Sequence, residues 1–145
     1  MKIQRNLFYL ALLLTLFFIS GIVSASSRGG TSKITIANHS PYPLQKVSGP
    51  WNAPSTIPAG RAEPIELRHS FIVIDDKFEV TYERVGGTGG CEFSSRLYMV
   101  EAGSYYVPAY ESSSNRVGGG SSCMDRLSNE KWSEPYQYTA TFTVY

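Results

Sequence analysis

Charge of one sign is what this chain has least of. Its 145 residues carry 13 Lys and Arg against 12 Asp and Glu, and nowhere do like charges gather into a block. A nucleic-acid partner wants a basic face and a polybasic membrane contact wants clustered Lys and Arg, so neither is expected. Cysteine and histidine are equally scarce. Cys91 and Cys123 stand 32 positions apart, far from His39 and His69, and that spacing matches no zinc site. Asp75-Asp76, with Lys77 beside them, fall short of the six or more oxygens that Ca²⁺ takes. No serine stands in a nucleophile-elbow pattern, and the Gly86–Gly90 run is not followed by the Lys-Ser/Thr of a phosphate loop. No metal, no cofactor and no catalytic residue is therefore expected. Amphipathic helical stretches of useful length are missing too, which excludes a helical bundle.

What is present begins with the N-terminus. Lys2 and Arg5 form a basic start, an apolar run follows from Leu7 to Val23, and Val23-Ser24-Ala25 offers small residues for cleavage. These are the parts of a secretory signal, read here as residues 1–25. Residues 26–32 are Ser/Gly-rich and read as a flexible leader. Residues 33–145 then make one β-sandwich domain of ordinary size. Cleavage removes Lys2 and Arg5 and leaves 120 residues with 11 basic and 12 acidic groups. In an exported, extracellular chain an even pair of cysteines reads as one disulfide, Cys91–Cys123.

The pattern along the domain is that of strands. Lys33 to Asn38 alternates apolar with polar, and Asn38-His39-Ser40-Pro41 stops it. Tyr42–Val47 reads as a second strand or an edge. Gly49 to Gly60 is too rich in Pro and Gly for a helix. Ile65 and Leu67 face one way, Glu66 and Arg68 the other; Phe71–Ile74 reads as a buried run; Asp75-Asp76 reads as a turn. From Lys77 to Arg84, Phe78, Val80 and Tyr82 point inward. Cys91–Val100 and Tyr105–Tyr110 are two further strands, while Glu111–Ser122 reads as a polar loop and Met124–Trp132 as the one place for a helical turn. Tyr136–Tyr145 closes the chain with strict alternation. Together these predict an all-β protein, an antiparallel β-sandwich of about seven short strands with one disulfide, its first and last strands paired.

Chemistry-bearing residues are few. His39 and His69 lie beside turns or strand ends with no nucleophile pattern near them. Glu63 with Glu66, or Glu79 with Glu83, offers the carboxylate pair of a hydrolase, but alternating Glu on a wet strand face is the ordinary way to keep a sheet soluble. Asn38-His39-Ser40 is a glycosylation sequon, weakened by Pro41 directly after it. Tyr and Trp combine an apolar body with a polar tip, and Tyr42, Trp51, Tyr105 and Tyr106 are the candidate ligand-contacting aromatics.

In Ile34-Thr35-Ile36-Ala37-Asn38-His39-Ser40, Ile57-Pro58-Ala59-Gly60 and Phe78-Glu79-Val80-Thr81-Tyr82, the chain resembles small secreted β-sandwich proteins of the aegerolysin kind. Its plan of signal peptide, one short β domain and inert composition also resembles slime-mould spherulins, proteins of encystment. The Trp-rich, Cys-Pro-Trp-type stretch of aegerolysins is missing, so no functional residue is carried over from them. The resemblance implies a secreted, non-catalytic protein. The expected role is structural or protective, in an extracellular wall, coat or matrix, with a wall polymer or a lipid surface as partner. The alternative is a secreted lipid-, membrane- or carbohydrate-binding module.

Overall fold

The computed structural model describes residues 30–69 and 75–145. The segment read as a signal peptide and the Phe71–Ile74 run lie outside these residues. The described residues hold nine strands: β1 (Thr31–Asn38), β2 (Leu44–Ser48), β3 (Thr56–Ile57), β4 (Ala62–Arg68), β5 (Asp75–Arg84), β6 (Gly90–Ala102), β7 (Tyr105–Val117), β8 (Cys123–Ser128) and β9 (Thr139–Val144). One sheet runs β4-β1-β9-β8 and the other β3-β2-β5-β6-β7. All-β architecture, two packed sheets and a single Cys91–Cys123 disulfide follow the expectation. The count is nine rather than seven, because β3 is only two residues long and β8 was read otherwise.

Alternation explains why the sheets pack. Ile34, Ile36, Phe78, Val80, Tyr82, Ala140, Phe142 and Val144 are all buried, each from the inward side of its strand. Phe142 of β9 stacks on Phe93 of β6 at 4.8 Å and on Phe78 of β5 at 6.5 Å, joining the two sheets at the centre. The first and last strands do pair, from Lys33↔Thr139 to Asn38↔Val144, and they do so in parallel. That is one departure from an all-antiparallel sandwich; every other ladder is antiparallel.

Four local expectations are corrected. Thr31 and Ser32, at the end of the supposed leader, belong to β1, and Ser32 is fully buried. Asp75 and Asp76 open β5 instead of turning, because Arg96 and His69 hold their carboxylates. Glu111–Val117 continues β7, its register against β6 running from Gly90↔Val117 to Arg96↔Glu111. Cys123–Ser128 is β8, paired with β9, where a helical turn was expected. In the glycine-rich turn from Gly86 to Gly90, Gly86 and Gly89 are left-handed, with φ of 80° and 74°. At Gly89 a Cβ would also lie 2.0 Å from the Gly119 carbonyl oxygen.

Burial of tyrosine sets an alkaline limit. Tyr82 is fully buried, its hydroxyl donates to the Pro54 carbonyl at 2.6 Å, and burial pushes its pKa up to about 12. A phenol whose folded pKa is raised contributes stability below the unfolded value near 10 and loses it as pH rises through the folded value. Stability should therefore fall between about pH 10 and 12, by roughly 2–3 kcal/mol from Tyr82 alone. Urea melts across that window, read beside tyrosinate absorbance, check this. A flat stability curve to pH 12 contradicts it.

Candidate functional site

The four aromatics expected to form a binding surface occupy three separate places. Tyr42 sits beside the end of β5, near Arg84 and the Gly87 turn, and is little more than a third exposed. Tyr105 and Tyr106 flank the tip of the β6–β7 hairpin, beyond Tyr98, which pairs with the other end of β5 at Asp75. Trp51 is 94% exposed and lies in the β2–β3 connection. Lys46 Nζ clamps that connection by donating to the Pro50 and Ala53 carbonyls, and Asn52 reaches the Glu66 carbonyl on β4. Two ends and one lateral edge are thus involved, so these residues do not form a single patch.

Asn38 is not a surface residue. It is fully buried at the end of β1, where its Nδ2 donates to the carbonyls of Tyr42, Ile57 and Pro58 at 2.8–3.1 Å. Its Oδ1 accepts from the Ser40 amide and hydroxyl. The nitrogen that would carry a glycan is committed to these bonds inside the folded protein. Glu63 and Glu66 fall on opposite faces of β4, and Glu79 and Glu83 lie on the other sheet, in β5. The Glu63–Glu66 pair is therefore divided between the two faces of β4, while Glu79 and Glu83 share the exposed face of β5.

One arrangement was invisible in the sequence. Ser32 of β1, His69 just after β4 and Asp76 of β5 are joined through hydrogen bonds: Ser32 Oγ to His69 Nε2 at 2.5 Å and His69 Nδ1 to Asp76 Oδ2 at 2.9 Å. With Nδ1–H directed at the carboxylate, Nε2 is left to accept the serine O–H, the atom order of a nucleophile relay. Ser32 is fully buried, and its Oγ already accepts the Tyr138 amide at 3.0 Å, so an acyl carbon has no approach to it in this conformation. His69 stacks on Tyr138, whose hydroxyl bonds Ser95 on β6, and the His69 amide donates to the Gly30 carbonyl. The network ties β1, the end of β4, β5, β6 and the start of β9 together.

A second polar group lies on the outer face of the β5-β6-β7 sheet. Arg96 grips Asp75 through two hydrogen bonds, which hold the Asp75 carboxyl below its ordinary pKa. The guanidinium also lies over the Tyr98 ring at 4.6 Å, and the Tyr98 hydroxyl donates to Glu111. That hydrogen bond raises the Tyr98 pKa. These charges satisfy one another and leave little capacity for a ligand.

Comparison with known proteins adds no relative: no protein-family model matches the chain, and no curated protein matches it. The likeness to aegerolysins rests on the short motifs alone, and that to spherulins on the overall plan of the chain.

Proposed function

We propose that this chain is a secreted, non-catalytic protein with a structural or protective role in an extracellular wall, coat or matrix, made as cells encyst or become dormant. The observation that carries the reading is the scatter of Tyr42, Trp51, Tyr105 and Tyr106 over two ends and one edge of the sandwich. A membrane-inserting patch would gather them in one plane. The Cys91–Cys123 disulfide is compatible with an extracellular location, and the buried Ser32–His69–Asp76 network acts as a clasp between the sheets. Timing in encystment is supported by the spherulin-like plan.

Fractionation of the cells that make it, across growth and dormancy, tests this. Most of the protein should stay with the insoluble wall and come off only with denaturant and reductant. Full recovery from the medium, or a cytosolic pool with its first residues intact, overturns the reading. A fluorophosphonate probe should leave Ser32 unlabelled; labelling that disappears in Ser32→Ala would overturn the non-catalytic part. Trp51, at 94% exposure, favours a lipid-binding reading in second place. Co-sedimentation with vesicles that is lost in Trp51→Ala would promote it.

A further inference from the structure

We infer that a cleft on the β4-β1-β9 side of the sandwich binds a neutral, polyhydroxylated chain, the polysaccharide of the wall in which the protein is laid down. This rests on the wall reading above and names the polymer's chemistry and its seat. The cleft has a volume of about 990 Å³ and lies where the β8–β9 connection passes over the outer face of β1 and β4. Its walls carry Lys33, Glu66, Glu130 and Lys131, with Asn129 and Gln137 between them.

Three features set its ligand. The charges cancel, two cations against two carboxylates, so the cleft has no net attraction for a polyanion or a polycation. The four charged side chains also have no ion-pair partner among the described residues. The ion pairs there are Lys77–Glu79 and Arg96–Asp75, with the His69–Asp76 hydrogen bond beside them, and none of the four takes part, although Lys33 and Glu66 are cross-strand partners. A lining that holds both donors and acceptors matches sugar hydroxyls, each of which donates and accepts, and hydrogen bonds to charged groups are the stronger kind. The outer face of Arg96, where the same residue types are already paired, offers no such capacity.

The third feature is extension along the strands. Thr35 of β1 and Thr139, Thr141 and Thr143 of β9 continue the polar floor with hydroxyls, Thr35 directly beside Thr141. That strip runs parallel to the strands and suits an extended chain longer than the cleft. The overhanging connection is fixed in place: the Lys131 amide donates to the Gln137 carbonyl, and the Tyr110 hydroxyl to the Lys131 carbonyl. A held loop keeps the cleft open before ligand arrives, which lowers the ordering cost of binding.

The test is retention of the secreted protein on insoluble cellulose, chitin and β-1,3-glucan, with heparin beads and anionic vesicles beside them. At least one neutral polysaccharide should retain it, and about 1 M NaCl should change retention little. Glu66→Ala combined with Lys131→Ala should weaken binding by about tenfold or more. Trp51→Ala, on the lateral edge, should leave it unchanged, and thermal melts should show all variants folded. Retention by no neutral polysaccharide, retention on heparin alone, or equal binding by the double variant overturns the inference. The two readings fail separately. A double variant that still partitions into the wall sinks the cleft and spares the wall role, whereas wild-type protein found free in the medium sinks the wall role whatever the beads show.

Discussion

Replacing Cys91 and Cys123 together by alanine should lower the melting temperature by about 10–20 °C. Cys91 is fully buried in β6 and Cys123 begins β8, so the bond joins the two sheets. The loop it closes contains the whole β6–β7 hairpin. For a loop of about 33 residues the chain-entropy estimate is about 3.5–4 kcal/mol, a large share of the stability of a domain this size. Calorimetry of the oxidised protein and the double variant measures the difference directly. A shift under about 3 °C would mean that the hydrophobic contact between sheets already restrains the hairpin without the covalent link.

Asn38→Ala should cost about 3 kcal/mol, and Asn38→Asp more. One amide nitrogen serves three carbonyls, and the amide oxygen holds the Ser40 turn. Alanine removes that shared donor and the acceptor that holds the Ser40 turn, leaving the Tyr42 carbonyl to the Ser40 hydroxyl and the Pro58 carbonyl to the Arg61 amide. Aspartate additionally turns a carboxylate toward three carbonyl oxygens. Urea unfolding midpoints of the two variants should fall in that order. If aspartate proves the milder substitution, the side chain is not oriented as described. The same geometry predicts that protein secreted from a glycosylating host keeps its mass after endoglycosidase treatment.

The strands with one wet and one dry face could be read directly from the residues. In β5 and β9 every second side chain is apolar, and the structure buries those side chains. Glu111–Val117 could not be read so, because both of its faces are polar. Its inward hydroxyls, on Ser112 and Ser114, donate to Asp125 of β8, a partner supplied only by the folded arrangement. Asp75-Asp76 failed for the same reason: two adjacent carboxylates look like a turn until Arg96 and His69 are placed against them. The Ser32–His69–Asp76 clasp draws on three segments, one of them taken for a leader and another for a turn. Local signals show Asn38 only as a sequon weakened by Pro41, since nothing nearby in the chain reveals the carbonyls that surround it. The cleft residues were individually ordinary, and only the path of the β8–β9 connection brings them together.

The parallel alignment of β1 and β9 carries a mechanical corollary. Two neighbouring strands that run the same way put Gly30 at one pole and Tyr145 at the other. Tension applied between those points pulls the strands lengthwise past each other. All six paired positions then bear the load together, so the ladder resists as a block and cannot unzip one rung at a time. Force applied along that line should therefore be met with far more resistance than force that peels β9 away from β1 at one end.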